Sequence, residues 1–328
     1  MQARIEQVRK MQVDETGSSR AVLIAGPTAS GKSALALWLA EALGGEIINA
    51  DSMQVYRELR VLTARPTPAD EARAPHHLYG VLPAARACSA ADWAALAMEA
   101  VREIEGRGRL PILVGGTGLY FRALTDGLAP VPAIPEAIRE TVRAALAACG
   151  SERMHEELAR VDPALAARLA VTDSQRIARG LEVAQATGRP LSEWHREPVA
   201  PLLAGRLARI LLTAERDWLG VRCDARFDAM MAAGALDEAR ALQALDLDPA
   251  LPAMKALGVP DLLSYLAGNQ PFEAAVAAGK AQTRAYVKRQ MTWLKAQMIA
   301  WNVFSAQFLE REIHEIFSFI DDSRLTGR

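Results

Sequence analysis

The chain has 328 residues, 51% of them apolar and 23% charged, with a formal net charge of −1, so it can bury a full core as one large domain with an insertion or as two domains. A near-neutral balance excludes a chain-wide attraction to polyanions, and any nucleic-acid surface must be a local patch. The cysteines Cys88, Cys149 and Cys223 are odd in number and far apart, which argues against a disulfide framework or a zinc site and for a reducing cytoplasm.

Residues 1–19 mix charges of both signs without an apolar segment and read as a loose extension, not a signal peptide. No apolar run approaches the ~20 residues of a membrane span. A strand over 21–25 then enters G-P-T-A-S-G-K-S at 26–33, the G-x-x-x-x-G-K-[ST] spacing of a phosphate-binding loop. Gly26, Pro27, Thr28, Ala29, Ser30, Gly31, Lys32 and Ser33 form the expected cradle. The glycines let backbone N–H groups turn inward, Lys32 adds a cation, and Ser33 offers a hydroxyl to Mg²⁺. The loop indicates phosphate without singling out ATP.

A helix over 33–43 ends at Gly44 and Gly45, and a second strand covers 46–50. Asp51 follows it. If that strand neighbours the first, Asp51 emerges beside the phosphate loop at the carboxyl edge of the sheet; position alone equally permits a cap for the next turn. A loop is expected over 66–75 and a third strand over 77–82. Ser89 and Asp92 form a capping box opening a helix to about Glu105, stopped by Gly106 and Gly108. A buried strand over 110–114 runs into G-G-T-G at 115–118. Two glycines there allow close approach to a ligand, and Thr117 can cap the next helix and show its hydroxyl to the pocket. That strand lacks the terminal acidic residue with which ATP-hydrolysing P-loop proteins hold Mg²⁺. This leaves phosphoryl transfer, or a simple grip on pyrophosphate.

After Gly127 the prolines Pro130, Pro132 and Pro135 form a linker, and 133–200 reads as an all-helical insertion, with helix starts at Ser151, Asp162-Pro163 and Asp173-Ser174. A strand over 207–213 resumes the core, taken as 20–132 and 201–305. Long helices are expected over 218–245 and 274–296. Phe308, Leu309, Ile313, Ile316 and Phe317 make an amphipathic stripe packing on the body within a C-terminal helix and tail, 306–328. The expected fold is α/β: a P-loop NTPase-like parallel sheet flanked by helices, with an all-helical insertion domain.

Two cationic clusters stand out. Gln175, Arg176 and Arg179 open a helix of the insertion. Lys280, Arg284, Lys288, Arg289 and Lys295 share one helix with no acid among them, and either form a solvated face or meet phosphates. His76-His77 invites a metal, but adjacent strand residues point to opposite faces and no partner ligands follow at metal spacing. Trp38, Trp93 and Trp218 read as core.

Taken in order, these segments resemble the tRNA dimethylallyltransferases of the bacterial type without a zinc finger, over roughly 20–300. The blocks are G-P-T-A-S-G-K-S at 26–33, D-S-M-Q-V-Y at 51–56, T-A-R-P at 63–66, A-P-H-H-L at 74–78, C-S-A-A-D-W at 88–93, L-V-G-G-T-G-L-Y at 113–120, D-S-Q-R-I-A-R at 173–179 and T-R-x-Y-V-K-R-Q-M-T-W-L-K at 283–295. The resemblance implies a phosphate loop gripping dimethylallyl diphosphate with Mg²⁺, and transfer to N6 of the adenosine 3′ of the anticodon. Asp51 becomes the general base and Thr117 its assistant. Asp51, Ser52, Met53, Gln54, Thr117, Arg139, Gln175, Arg176, Ile177, Ala178 and Arg179 would meet the anticodon arm, and Arg284, Lys288 and Arg289 phosphates. A cytoplasmic monomer with no membrane anchor and no obligate protein partner is expected. Two departures stand out: Arg65 and Lys295 replace the family's usual Lys and Arg, and 255–260 lacks its Gly-Tyr-basic stretch, so no nucleic-acid contact is assigned to Val259 or Pro260. A P-loop nucleoside or metabolite kinase is the alternative, and it leaves the two cationic clusters without a role.

Overall fold

A computed structural model describes residues 19–325; the expected extension at 1–19, apart from Ser19, falls outside them. In chain order the elements are β1 (Ser19–Ala25), α1 (Lys32–Leu43), β2 (Gly45–Asn49), α2 (Pro68–Arg73), β3 (His76–His77), α3 (Ala90–Gly106), β4 (Leu110–Gly115) and α4 (Gly118–Thr125). Next come α5 (Glu136–Val161), α6 (Pro163–Ala166), α7 (Ser174–Thr187) and α8 (Leu191–Trp194). The chain closes with β5 (Gly205–Thr213), α9 (Arg216–Ala232), α10 (Ala235–Gln243), α11 (Val259–Leu266), α12 (Phe272–Gln297), β6 (Asn302–Ser305) and α13 (Leu309–Leu325).

The six strands form one parallel sheet in the order β3-β2-β4-β1-β5-β6. Both faces are covered, which is why β2 and β4 are buried along their whole length and β4 reads as an unbroken apolar run. Val22, Ile24, Ile47, Ile112, Val114, Ile210 and Leu212 pack with α1 and with Ile316 and Ile320 of α13. Alternate residues such as Leu23, Ile48 and Leu113 turn to the opposite face. On α3, Trp93 stacks on Tyr120 at 4.2 Å and donates its ring N–H to the Asn49 carbonyl. Trp38 and Trp218 are only half-buried; Trp38 meets Phe317 edge-on. Phe308 leaves the expected C-terminal stripe and stands 53% exposed beside Arg311.

β2 and the loop strand β1 are not neighbours, because β4 lies between them and pairs with both. The chain skips one sheet position on its first crossover and fills it later. The expected third strand over 77–82 shrinks to two residues: Leu78 and Gly80 adopt φ of 64° and 60°, turning the chain, and Leu82 returns only as a lone parallel bridge to Tyr56. Its histidines have structural contacts. His77 Nε2 lies 2.7 Å from Glu46, the buried acid of β2, and His76 Nδ1 lies 2.8 Å from the Ala74 carbonyl. Burial alone would raise the Glu46 carboxyl. Hydrogen bonds from Arg107 and His77 outweigh it and hold the group below the usual carboxylate value.

The expected loop over 66–75 contains α2, started by a Thr67–Asp70 capping box with Pro68 in its first turn. The long helix expected over 218–245 is two, separated where Gly234 adopts φ 99°. Val259 is buried and Pro260 sits in the first turn of α11. The cysteines are all free, and among the described residues no helix is long and apolar enough to cross a membrane.

Residues 126–201 form a second compact unit, wholly helical, beginning at Asp126 where 133 was expected. Met154, Leu158, Leu165, Ile177, Leu181 and Val183 make its core, and α5 is interrupted at Gly150 (φ 75°), one residue before the expected start at Ser151. Asp162 is fully buried and accepts hydrogen bonds from the N–H groups of Leu165 (3.0 Å) and Ser192 (2.8 Å), tying α6 to α8. Asp162→Ala removes a helix cap and strands a buried donor, so it should destabilise this unit by about 2–4 kcal/mol. Limited proteolysis should then cut within 126–201 first; wild-type resistance would show the carboxylate to be dispensable.

Candidate active site

The phosphate loop leaves β1 and ends at Lys32, the first residue of α1, after Gly31 with φ 84°. The first-turn amides of α1 have no acceptor within the helix and face the loop's hollow with the positive end of the helix dipole. Ala29 is held at φ 65°, a strained value for a residue with a Cβ. Ser30 Oγ is buried without a partner. Among the described residues Lys32 Nζ reaches only the Pro27 carbonyl, at 3.3 Å. Burial lowers the Lys32 pKa to about 8 against the opposing charge of Asp51.

Two helices from the far end of the chain hold this loop. Arg222 of α9 lies over the Trp218 ring and donates to the Ala29 carbonyl at 2.9 Å. Gln290 of α12, itself buried, accepts from the Thr28 N–H at 2.9 Å and donates to the Gly116 carbonyl at 3.0 Å. The Thr28 amide is therefore engaged by protein.

Sequence reasoning missed Arg226. It lies one turn beyond Arg222, and its charge is felt at Lys32. Among the described residues no hydrogen bond or ion pair engages it. Burial pulls its pKa below the usual value, while Cys223 and Asp51 oppose the shift. The row Trp218, Arg222, Arg226 at i, i+4, i+8 on a helix was the available signal.

Asp51 follows β2 at the carboxyl edge. Asn49 clamps it, accepting from its N–H at 2.8 Å and donating to its carbonyl at 3.0 Å. Asp51 Oδ1 accepts from the Met53 N–H at 3.0 Å, so the carboxylate does cap the next turn. Its second oxygen has no hydrogen-bond partner among the described residues. The same charge acts on Lys32 and Arg226, so Asp51 shares the pocket although β4 separates its strand from β1. Tyr79 and Tyr286 surround it with hydroxyls held neutral, by burial first and by Asp51 next.

Thr117 Oγ1 accepts from the Ser52 N–H at 3.0 Å and donates to Ser52 Oγ at 3.3 Å, and the Thr117 N–H meets the Ala50 carbonyl. The hydroxyl thus stitches two strand-end loops together. The neighbouring glycines make room for protein, contrary to the expected close approach of a ligand. An added Cβ would sit 1.9 Å from the Ala50 carbonyl oxygen at Gly115, 2.3 Å from Gln290 Nε2 at Gly116 and 1.8 Å from the Trp293 ring at Gly118.

Beyond Met53, Gln54 Nε2 binds the Thr63 and Ala64 carbonyls at 2.8 and 3.1 Å, and the Glu238 carboxylate accepts from the N–H groups of Arg60, Val61 and Leu62 at 2.7–2.8 Å. Gln54 therefore organises a loop with its amide nitrogen. Arg65 lies against Gly80, where its Nη1 reaches the Tyr56 carbonyl.

On α12 the row of cations divides. Lys280 pairs with Asp228 at 2.6 Å and Arg284 with Asp224 at 2.5 Å, both on α9. Arg284 is exposed and spends its charge on this surface pair with α9. Lys288, Arg289 and Lys295 are exposed and without ion pairs among the described residues.

In the second unit Gln175 and Arg176 are exposed and Arg179 half-buried, the two arginines pairing weakly with Asp173 and Glu182. Such exposed pairs contribute about 0–1 kcal/mol and exchange readily for a phosphate. Arg139 pairs with Glu136 at 3.8 Å and keeps a buried Nε without a partner. Ile177 and Ala178 face the core of the unit, so their side chains are not surface contacts.

A parallel sheet with a phosphate loop on β1, an acid at its carboxyl edge and a helical unit inserted after α4 defines a P-loop-like α/β protein. The IPP transferase family model matches residues 54–297, and the isopentenyl transferase model 19–79. The tRNA dimethylallyltransferase of Parvibaculum lavamentivorans is 63% identical over 94% of this chain and 98% of its own. The full-length tRNA isopentenylpyrophosphate transferase from Bacillus halodurans superposes with TM-score 0.68 at 34% identity, covering 93% of this chain and 97% of its own. A eukaryotic dimethylallyltransferase acting on tRNA gives TM-score 0.77 at 27% identity, covering 90% and 76%. The chain belongs to the IPP transferase family.

Proposed function

We propose that this enzyme transfers a dimethylallyl group from dimethylallyl diphosphate to N6 of the adenosine 3′ of the anticodon in tRNA, releasing diphosphate, in the cytoplasm. The observation that carries the reading is that Asp51, at the strand end with one carboxylate oxygen unengaged among the described residues, lies close enough for its charge to be felt at two cations, Lys32 of the phosphate loop and Arg226. An acid beside an anion grip is what alkylation of a weak amine needs. The lone pair of the exocyclic N6 is delocalised into the ring, and a carboxylate that takes its proton as the new C–N bond forms lowers the barrier. Asp51 has an oxygen to spare for this. Thr117, anchored to Ser52, holds the base in register.

At the donor, the C–O bond to diphosphate breaks as positive charge grows on the allylic carbon. Lys32, Arg226, the first amides of α1 and Ser30 Oγ stabilise the charge left on the leaving group. Mg²⁺ fits this donor set: Ser33 presents an exposed hydroxyl at the helix start. Among the described residues no cluster of three His, Cys, Asp or Glu could hold a metal, so Mg²⁺ would take its remaining ligands from diphosphate oxygens and water. Bound there, it would supply further charge neutralisation to the leaving group.

The acceptor is assigned to Ser52, Met53, Gln175, Arg176, Arg179 and Arg139, with Lys288 and Arg289 on phosphates. The target base must be turned out of its stack to reach an acid at the sheet edge. Incubation with Mg²⁺, unmodified tRNA and either dimethylallyl diphosphate or ATP tests the reading. Prenylated tRNA and free diphosphate are expected; ADP formation would return the kinase. In the same assay, Arg176→Ala with Arg179→Ala should raise the tRNA KM and reduce the salt slope of binding by about two units, leaving donor affinity unchanged.

A further inference from the structure

Gln290 carries a feature that no catalytic role above requires. It is 6% exposed, lies 262 residues from Thr28 and 174 from Gly116, and bridges the two through one carboxamide. One bonded loop grips phosphate; the other carries Thr117. The contact has a sense: the phosphate loop donates to Oε1 and the Thr117 loop accepts from Nε2. Only a side chain with a donor and an acceptor on one planar group satisfies both. A carboxylate would set oxygen against the Gly116 carbonyl, and a hydrocarbon would strand both backbone groups in a buried place. Gly116 has no side chain where Nε2 arrives.

On the reading that this pocket performs prenyl transfer, we propose that Gln290 is a positioning residue: its carboxamide sets the separation of the phosphate loop from the Thr117 loop, and so of the allylic carbon from the acceptor nitrogen. Small errors in that separation cost rate without costing affinity, since each substrate still meets its own loop. Gln290 touches neither reacting group; it acts through Thr28 and Gly116, and its side chain also hydrogen-bonds the Tyr286 hydroxyl.

Single-turnover transfer by the full-length protein, with separate donor and tRNA titrations, tests this. Gln290→Leu should lower kcat at least ten-fold with both KM values within about three-fold of wild type. Gln290→Glu should do the same at pH 8. Burial raises a carboxyl pKa, and once protonated its O–H donates to Gly116 while its other oxygen accepts from Thr28. The ratio of mutant to wild-type kcat should therefore climb as pH falls from 8 towards 6, a recovery that Gln290→Leu cannot show. Gly116→Ala, which displaces Nε2 from the other side, should reproduce the kcat loss.

Wild-type kcat in folded Gln290→Leu would overturn the proposal. So would equal losses in kcat and both affinities with no pH recovery, or failure of all three variants to fold, since the glutamine would then serve only the fold. Failure of the wild-type protein to prenylate tRNA would instead strike the functional reading itself.

Discussion

Asp51→Asn should fold normally, bind tRNA and donor with near wild-type affinity, and transfer about 10²–10⁴-fold more slowly. The asparagine keeps the shape of the aspartate and an oxygen for the Met53 N–H, so the turn after β2 survives. The Asn49 clamp grips only the main chain of residue 51 and survives as well. What disappears is the ability to take a proton from N6. Single-turnover rates with saturating substrates measure that step, and a variant retaining more than a tenth of wild-type rate would remove Asp51 from the role. Because the lesion lies in the chemical step, excess donor or tRNA should restore nothing.

Lys32→Ala and Arg226→Ala should each weaken donor binding about 10–100-fold, the range for one charge-assisted contact, and lower kcat as well, because charge on the leaving group is greatest in the transition state. Arg226 is the sharper case, since among the described residues it holds no other partner. The pH dependence has a definite sign. Lys32 in the free protein has a pKa of about 8, so the donor meets a charged lysine below that value and must restore a lost proton above it. Donor affinity should therefore fall as pH rises through about 8. Lys32→Arg should flatten the profile, whatever it costs in affinity, because a guanidinium does not titrate there. Stability of the free protein moves oppositely: between about 8 and 10.5 the unfolded chain holds the extra proton, so folding gains as pH rises. Titration calorimetry from pH 7 to 9.5 reads the affinity directly, and a flat wild-type curve would contradict the assignment.

The features legible in the sequence were local ones. The phosphate loop, the buried strands, the Ser89–Asp92 capping box and the change to an all-helical unit each follow from residues a few positions apart. Strand order is a long-range property, and nothing near Asn49 foretold that β4 would settle between β2 and β1. Asp51 is legible at the strand end, and it reaches the loop's surroundings although the strand adjacency on which that expectation rests is not met. Cations are ambiguous for the same reason. Arg284 and Lys288 look alike along the chain, and only the acids of α9 decide that Arg284 faces a neighbouring helix. Two glycines in 115–118 read as space for a ligand from local sequence, because the occupants, Gln290 and Trp293, lie so far downstream. α2 is a different case, since its Thr-Pro-Ala-Asp start is a local helix signal inside a stretch otherwise expected as loop.

The distance along the chain between the phosphate loop and Gln290 also orders events during synthesis. The loop leaves the ribosome early, yet the groups that grip Thr28, line Gly116 and fill the space at Gly118 all lie on α12. A nascent chain interrupted before α12 carries the whole phosphate motif, Asp51 and the Arg222 contact to Ala29, but lacks the Gln290 bridge that joins the two loops. On the proposal above, such a fragment lacks the contact that sets donor and base in register. Full assembly of the pocket is thereby tied to synthesis of nearly the whole chain, since Gln290 and Trp293 are among the last core residues made.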